Sequence, residues 1–327
     1  MGVKLEARTA NLHDAALPQC PVCGSEAQHV RTLTPEMTSR ALDRYFGGKF
    51  NFASCPDIET YRILSCRKCT LDFADPPRPG SSQFYEELGR QPNYYASNRW
   101  EWGISIAELK RNSVASLIEV GCATGAFLKM AADALGCRTT GIDINADAVA
   151  TCRTAGLEAY CETIEEHLRR FTKPTYDCAV AFHCLEHVAN PLAFASSLFS
   201  LVRPGGFMLL STPLSPMSFE RRWHDPLNHP PHHLTRWNER SYAELARSLQ
   251  AGLRVFSPPA ADPLRRAARA VALDTYGTPR AFGTLQVRSA PLLHPIHFAQ
   301  EFIYQLHRPH LNSRPAGDVI LGVFQKH

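Results

Sequence analysis

A glycine-containing turn between a strand pattern and a helical pattern constrains the fold of this chain most. Residues 116–120 read as an apolar strand, and Gly121-Cys122-Ala123-Thr124-Gly125 follows directly. Glycines in such a turn let backbone approach a ligand where a side chain would block it. The next predicted strand ends at Asp143, and an acid about 20 residues beyond a glycine turn suits the hydroxyls of a ribose. The pattern therefore predicts a site for an adenosine-type cofactor.

The turn lacks the marks of a phosphate-binding loop. A nicotinamide or flavin site would have G-x-G-x-x-G, but Ala123 takes the middle position here. A nucleotide P-loop needs Lys followed by Ser or Thr after its last glycine, whereas Gly125 is followed by Ala126 and Phe127. The residues favour a cofactor without phosphates that joins an adenosine to a charged amino acid.

Strand and helix patterns alternate from residue 116 onward. Such alternation predicts an α/β fold, with a parallel sheet covered by helices on both faces. The seven predicted strands are 116–120, 138–143, 157–161, 176–182, 206–211, 252–256 and 318–325. We expect a zinc-binding module at 1–75, a connecting helical segment at 76–115, and a main domain at 116–327. An insertion at about 258–316, before the last strand, is expected to cover a pocket, bind a partner, or form a solvated hairpin.

Two Cys-x-x-Cys pairs in the first 75 residues predict a metal site. The chain contains 11 cysteines and begins without a secretory pattern, so most of these thiols should stay reduced. Two such pairs can complete a tetrahedral shell of four thiolates around zinc, and a full shell makes the metal structural. Two unrelated reduced pairs, or an iron–sulfur site, are the alternatives. The predicted ligands are Cys20, Cys23, Cys66 and Cys69.

Four motifs in the right order resemble class I S-adenosylmethionine-dependent methyltransferases. The run from Glu119 to Gly125 is similar to their first motif, and Asp143 matches their ribose-binding acid. Residues 176–188, which end in Glu-His-Val, resemble their fourth-strand motif, and residues 201–206 resemble the turn before strand five. The resemblance covers about residues 80–260 and the last strand. It implies a Rossmann-like sheet of seven strands, in which strand seven runs antiparallel between strands five and six.

The resemblance also implies roles for individual residues. Asp143 would take the ribose hydroxyls, Ile144 would pack on adenine, and Glu162 would neighbour the adenine amino group. Glu119 would hold the methionine end, while Tyr95 would cap its carboxylate. Ala123 departs from the pattern, because glycine is commoner there. The implied cofactor-binding residues are Tyr95, Glu119, Gly121, Cys122, Gly125, Asp143, Ile144, Glu162, Phe182 and His183.

Histidines gather at one predicted sheet edge. His183 and His187 lie at the end of the fourth strand of the main domain, and the loop after the fifth is rich in histidine and proline. Reacting groups collect at this edge of open α/β sheets, and a neutral histidine can take a proton from an attacking hydroxyl. We expect His187 or His233 to be the base, with His183 as a third candidate. Alternatives are packing roles or a second metal site built from His224, His229, His232 and His233.

Composition and motifs favour a small acceptor. The net charge of +4 is far from that of a typical nucleic-acid protein, and the Asn/Asp-Pro-Pro motif of nucleobase amino-group methylation is missing after the fourth strand. A zinc module before a methyltransferase domain resembles bacterial sugar and natural-product methyltransferases, which implies transfer to oxygen or carbon of a small molecule or glycan. An RNA methyltransferase and a non-catalytic cofactor-binding protein stay open. We expect a cytoplasmic protein, since about 18 consecutive apolar residues, enough for a membrane span, are not found.

Overall fold

The computed structural model describes residues 17–51, 58–90, 98–170, 176–221, 225–259, 262–276, 284–307 and 317–327. In chain order the strands are β1 (Ala27–Leu33), β2 (Tyr61–Cys66), β3 (Asp72–Asp75), β4 (Ser116–Val120), β5 (Arg138–Asp143), β6 (Glu158–Cys161), β7 (Tyr176–Phe182), β8 (Val202–Pro213), β9 (Thr235–Arg236), β10 (Gly252–Phe256) and β11 (Val319–Gln325). The helices are α1 (Pro35–Phe46), α2 (Ser82–Gly89), α3 (Trp100–Arg111), α4 (Ala126–Leu135), α5 (Ala146–Thr154), α6 (Ile164–Arg170), α7 (Pro191–Ser200), α8 (Glu239–Ser248), α9 (Pro263–Tyr276), α10 (Thr284–Leu293) and α11 (Pro295–His307).

The larger sheet has seven strands in the order β10-β11-β8-β7-β4-β5-β6. Its pairs are parallel from β8 to β6, whereas β11 is antiparallel to both β8 and β10. This arrangement confirms the predicted α/β fold and the antiparallel last strand. The fifth strand was predicted at 206–211, but the observed strand, β8, begins earlier, at Val202. The turn at Gly205, with φ 75°, lies within β8 as an irregularity rather than before it.

Both faces of the larger sheet are buried, as expected for parallel strands between helices. Along β7, Cys178 and Val180 pack into a cluster with residues of α3 and α4. Ala179 and Ala181 alternate with them and join a second cluster with residues of α7 and α8. The period of two along the strand therefore divides the core into two layers, and the carboxyl ends of the central strands are left to form one edge.

The N-terminal sheet includes a strand from far along the chain. Its order is β1-β2-β3-β9, and β9 follows the histidine-rich loop after β8. Phe73 pairs with Thr235 across β3 and β9, and the Arg236 guanidinium donates to Asp72 Oδ2 at 2.6 Å. Leu64 and Trp237 share a buried cluster. The sheet thus extends beyond the predicted module at residues 1–75.

Three helices lie in the described parts of the predicted insertion, which are residues 258–259, 262–276 and 284–307. The inner face of α9 is buried, and its Ala270 and Leu273 pack on Phe219. The Gln305 amide of α11 donates to the Ser218 carbonyl oxygen at 2.6 Å, which ties the insertion to the loop after β8. Leu292 and Ile296 remain 83% and 72% exposed at the junction of α10 and α11. Among the described helices, none combines the length and apolar character that crossing a bilayer requires.

Asn238 joins α8 to the N-terminal module at the start of that helix. Its Oδ1 accepts from the backbone of Arg240 and Ser241 at 3.0 and 3.1 Å, which caps the helix. Its amide nitrogen donates to the Thr70 carbonyl oxygen at 2.9 Å. Thr70 directly follows the second Cys-x-x-Cys pair, so this hydrogen bond ties that pair to α8. One buried side chain therefore caps a helix and holds the N-terminal sheet to it.

We predict that Asn238→Ala lowers the free energy of unfolding by about 2–3 kcal/mol, because it removes a cap and leaves the Thr70 carbonyl without that donor. Asn190→Ala is the matched control, since the exposed Asn190 side chain caps α7 through Ala193 N at 3.0 Å and makes no bridging hydrogen bond to another described segment; its cost should be about 1 kcal/mol. Urea denaturation followed by circular dichroism gives both values. Equal costs would contradict a bridging role for Asn238.

Candidate functional site

The predicted glycine turn lies at the carboxyl end of β4. Gly121 and Gly125 have φ of 74° and 79°, in the left-handed region that disfavours other residues. A Cβ atom on Gly121 would overlap Cys184 Sγ, and one on Gly125 would lie 2.5 Å from Leu157 Cδ1. The chain therefore bends tightly here, at two positions where the neighbouring side chains leave no room for a Cβ atom.

Asp143 is held against this turn by two backbone donors. Ala123 N donates to Oδ2 at 2.8 Å, and Asn145 N donates to Oδ1 at 2.9 Å. Ala123 has φ of 46°, so the alanine adopts the conformation that glycine would adopt more easily. Ile144 follows Asp143 and is 77% exposed. A fixed carboxylate beside an exposed apolar side chain suits a ribose and the base attached to it.

Glu119 lies at the end of β4 and is 4% exposed. Among the described residues, its Oε2 has no hydrogen-bond partner. Burial, together with the charge of Asp143, raises the pKa of the Glu119 carboxyl well above its usual value. A buried carboxyl oxygen without a donor is costly, and a ligand that supplies an ammonium or hydroxyl donor would satisfy it.

Other predicted cofactor residues take different positions. Phe182 packs edge to face on Phe127 with ring centroids 4.7 Å apart, so it forms part of the wall behind the turn. Cys122 is buried and belongs to a cluster behind β5. Both carboxylate oxygens of Glu162 are occupied, at 2.6 Å from His167 Nδ1 and at 2.8 Å from the Arg170 guanidinium. The predicted residue Tyr95 lies outside the described residues.

His183 is enclosed by two buried glutamates. Its Nε2 lies 2.8 Å from Glu101 Oε1, and its Nδ1 lies 3.3 Å from Glu186 Oε1; the two carboxylates are 2% and 1% exposed. Burial alone would lower the pKa of His183, but the interactions with Glu101 and then Glu186 outweigh it and raise this pKa. The interaction with His183 likewise outweighs burial and lowers the pKa of Glu101. His183 thus lies between two buried carboxyl groups that favour its protonated form.

Sequence reasoning missed Glu101. It lies in the first turn of α3, within the segment expected only to connect the two domains. An acid in the first turn of a helix is ordinary, because it interacts favourably with the helix dipole. Nothing in the local pattern indicated that this carboxylate is buried against His183.

Three histidines meet beside this ion group, and we call His187, His232 and His233 the three-histidine cluster. One ring nitrogen of each lies within 4.8 Å of those of the other two. Nδ1 of His187 is 2.7 Å from the His232 carbonyl oxygen, and Nδ1 of His232 is 2.7 Å from the Leu227 carbonyl oxygen. Because a carbonyl oxygen only accepts, each Nδ1 carries the proton and each Nε2 is the unprotonated nitrogen.

The tautomer of His233 follows from a longer chain of hydrogen bonds. The Asn228 amide nitrogen donates to Glu220 Oε1 at 2.5 Å, which orients the amide oxygen toward His233 Nδ1 at 3.0 Å. His233 Nδ1 must therefore donate, and its Nε2 is unprotonated as well. Burial, and then the mutual repulsion of the rings, lowers the pKa of His232 and His233 well below the usual value. Burial also lowers the pKa of His187.

The sequence analysis considered a second metal site formed by four histidines of the loop after β8, namely His224, His229, His232 and His233. The structure brings together a different set. His229 Nδ1 donates to the Asp225 carbonyl oxygen at 2.8 Å, and its Nε2 is 3.0 Å from the Arg236 guanidinium, which can only donate. His229 therefore uses both nitrogens in positioning the loop. His187 from the end of β7 joins the loop residues His232 and His233 instead, and His224 lies outside the described residues.

The four predicted zinc ligands also converge. Cys20 Sγ lies 3.6 Å from Cys69 Sγ, and Cys23 Sγ lies 3.4 Å from Cys66 Sγ and 3.8 Å from Cys69 Sγ. Zinc–sulfur bonds of about 2.3 Å in a tetrahedron place the sulfurs about 3.8 Å apart. Gly24 follows the first pair with φ of 66°, a left-handed conformation that glycine adopts easily. The four thiols thus have the spacing that a four-thiolate metal site requires.

Comparisons with known proteins agree with this geometry. A family model described as "Methyltransferase domain" matches residues 93–257. Ubiquinone biosynthesis O-methyltransferases are similar as well. The protein of Paraburkholderia xenovorans is 31% identical over 119 residues, which cover 35% of this chain and 50% of that protein. That of Xanthomonas campestris pv. campestris (strain B100) is 34% identical over 103 residues, which cover 30% and 43%. The chain thus spans half or less of the length of these relatives.

Two solved methyltransferase structures are similar to part of this chain. A SAM-dependent methyltransferase from Archaeoglobus fulgidus has a TM-score of 0.44 and 14% identity, with coverage of 69% of this chain and 94% of that one. The plantazolicin methyltransferase BamL has a TM-score of 0.46 and 14% identity, with coverage of 74% and 88%. The matched family model spans half of this chain and includes the glycine turn, Asp143 and the three-histidine cluster, so the chain belongs to the methyltransferase domain family.

Proposed function

We propose that this protein is an S-adenosylmethionine-dependent methyltransferase that acts on an oxygen of a small molecule. The observation that carries the proposal is the cradle around the glycine turn, where buried Glu119 Oε2 faces no donor from the described residues and Asp143 is fixed beside Ala123. Such a cradle suits one ligand that combines an ammonium group with a ribose. The similar ubiquinone biosynthesis O-methyltransferases support oxygen as the acceptor atom.

The chain's own residues bind and orient the cofactor, which supplies a methyl group on a sulfonium when bound. Asp143 accepts from the ribose hydroxyls, and exposed Ile144 packs on the adenine. Glu119 accepts from the methionine ammonium, directly or through water. The bend formed by the positive φ angles of Gly121 and Gly125 carries the backbone beneath the nucleoside. Glu162, whose backbone N donates to the Asp143 carbonyl oxygen at 3.1 Å, closes the adenine side.

Proton removal from the acceptor falls to His187 or His233 rather than to His183. Both nitrogens of His183 face carboxylates, so its ring is held as a cation and positions the end of β7. His187 and His233 each present an unprotonated Nε2, because the Nδ1 atom of each ring carries the proton and donates it to an oxygen. A hydroxyl oriented toward the sulfonium carbon can pass its proton to such a nitrogen as the methyl group is transferred.

Aromatic rings beside the cluster favour a ring-bearing acceptor. The centroid of Tyr85 lies 6.0 Å from that of His187 and 5.9 Å from that of His232, and buried Phe84 packs behind this group, 6.3 Å from His232. Flat apolar walls with few polar groups are typical of small-molecule sites. We therefore propose a phenolic ring or a sugar as the acceptor.

We predict that Asp143→Asn weakens binding of S-adenosylhomocysteine at least about tenfold in titration calorimetry, because a charged acceptor for the ribose hydroxyls is lost. Asp147→Asn is the matched control, since Asp147 lies exposed in the first turn of α5 and should leave affinity unchanged. Equal affinities for the two variants, or no binding by the unaltered protein, would refute the cofactor assignment.

We predict that His187→Asn and His233→Asn each reduce kcat by about 10²–10⁴-fold without changing affinity for S-adenosylhomocysteine. The assay incubates purified protein with S-adenosylmethionine and a panel of phenols and nucleotide sugars, and mass spectrometry detects the added methyl group. The exposed residue His297 supplies the control His297→Asn, which should retain full turnover. Full activity of both cluster variants would show that neither histidine takes the proton.

We also propose that Cys20, Cys23, Cys66 and Cys69 hold a structural zinc ion. The sulfur spacing fits a tetrahedral shell, and the backbone N–H groups of Lys68 and Cys69 each donate to Cys66 Sγ at 3.4 Å. Donors of this kind stabilise a thiolate. Four protein ligands complete the shell, so the ion would stabilise the N-terminal sheet rather than bind substrate.

The double variant Cys20→Ser/Cys66→Ser is expected to lose about one zinc ion per chain and several kcal/mol of unfolding free energy, because structural zinc contributes directly to folding. Elemental mass spectrometry and urea denaturation measure the two quantities. Cys161→Ser, at an exposed cysteine, should change neither. Equal metal content in the double variant and the unaltered protein would exclude this site.

A further inference from the structure

We propose that the three-histidine cluster of His187, His232 and His233 is a second metal site, which binds a divalent transition ion such as Zn²⁺. The three rings come from two separate segments, the end of β7 and the loop before β9, yet one nitrogen of each lies within 4.8 Å of the others. Their centroids are 4.5 to 4.7 Å apart. This site is distinct from the four-cysteine site and from the cofactor cradle.

The hydrogen bonds around the cluster are those of metal-binding histidines. Metal-bound histidines usually donate their other ring N–H to a carbonyl, carboxylate or similar acceptor, which fixes the tautomer and the ring orientation. Here each Nδ1 donates to an oxygen, namely that of the His232 backbone, the Leu227 backbone and the Asn228 side chain. Each ring is thus oriented with its Nε2 as the potential ligand.

The oxygen acceptors are themselves held in place. Glu220 Oε2 accepts from Met217 N at 2.8 Å, while its Oε1 accepts from the Asn228 amide nitrogen at 2.5 Å. Two shells of contacts therefore orient His233. The Glu220 side chain is only 6% exposed, and it orients the Asn228 amide, which orients the His233 ring. A packing role for His233 alone would not require this arrangement.

The donor set selects the class of ion. Imidazole nitrogens suit Zn²⁺ and its transition-metal neighbours, whereas Mg²⁺ and Ca²⁺ prefer oxygen. Zinc–nitrogen bonds of about 2.0–2.1 Å in a tetrahedron place nitrogens about 3.3 Å apart, so on binding an ion the rings would reorient to bring their ligand nitrogens closer than the present limit of 4.8 Å. Three histidines leave a fourth position open, as in catalytic rather than structural zinc sites.

The position of the cluster suggests what the open site would hold. The buried Glu186 Oε1 lies 4.0 Å from His233 Nε2 and 3.3 Å from His183 Nδ1, so the cluster adjoins the ion group at the end of β7. When the ion is bound, the three Nε2 atoms cannot also accept a proton, so polarisation of an acceptor hydroxyl at the fourth position would take the place of proton removal by His187 or His233. This last step rests on the proposed methyltransferase function, whereas metal binding itself does not.

Cobalt titration tests the site independently of turnover. Co²⁺ is added to protein that has been dialysed against a mild chelator while zinc is kept on the cysteines, and visible absorption is recorded. Bound nitrogen ligands give ligand-field bands without the thiolate-to-cobalt charge-transfer band that cysteine ligation produces. We expect about one equivalent of Co²⁺ with a nitrogen-type spectrum.

Variants locate the bound ion. His187→Ala and His233→Ala should each weaken Co²⁺ binding at least about 100-fold, and Asn228→Ala should weaken it about 10–100-fold by freeing the His233 ring. His297→Ala, at an exposed histidine, should bind as the unaltered protein does. Circular dichroism and S-adenosylhomocysteine titration of each variant verify the fold and the cofactor cradle.

Two outcomes would overturn the proposal. One is a spectrum of the unaltered protein with no nitrogen-type bands at millimolar Co²⁺, a result that needs no variant to fold. The other is undiminished Co²⁺ binding by both His187→Ala and His233→Ala. In either case, retained S-adenosylhomocysteine binding would leave the proposed function standing, whereas its loss in the unaltered protein would refute that function separately.

Discussion

The structure depends on the balance of buried charge around His183. A buried carboxylate is strongly destabilising without a partner, and here the imidazole ring of His183 faces both Glu101 and Glu186. Glu101 belongs to α3, and Glu186 to the short turn after β7. The Glu186 backbone oxygen also accepts from Leu234 N at 2.7 Å. One histidine ring and its two glutamates thus connect a helix before the sheet, the end of a central strand and the histidine-rich loop.

The cofactor cradle and the three-histidine cluster are positioned by different means. Short backbone contacts form the cradle, where Asp143 accepts from the turn and the glycines keep side chains away. The cluster is instead positioned by series of hydrogen bonds between side chains. In one such series, Glu220 orients Asn228, which in turn orients His233. The first arrangement is local to two neighbouring strands. The second joins segments that are far apart in sequence, so its geometry depends on the packing of the whole loop.

The sequence predicted those parts whose physical causes are local. Apolar runs between helical patterns located the strands of the larger sheet, the glycine turn located the cradle, and paired cysteines located the sulfur cluster. The start of β8 was placed too late, because the glycine turn inside it resembles a strand boundary. The resemblance of residues 176–188 to a family motif placed His183 and His187 correctly at the end of β7.

The remaining features arise from tertiary contacts that no local pattern reveals. Glu101 reads as an ordinary acid of a helix N-terminus, and its burial depends on His183, which is distant in sequence. β9 has only two residues, Thr235 and Arg236, too few for a period-two pattern, and exists because β3 offers an edge. His229 resembles its neighbours in sequence but is occupied by Arg236, so only the fold separates it from the histidines that converge.

The pairing of β9 with β3 has a consequence for exchanging parts between relatives. The short strand begins two residues after His233, so the loop that carries this histidine ends as the fourth strand of the N-terminal sheet. Transplanting a foreign N-terminal segment alone would remove the edge on which that loop terminates. We therefore expect functional chimeras to exchange the N-terminal segment and the loop before β9 together. The same contact would favour paired substitutions in these two segments during evolution.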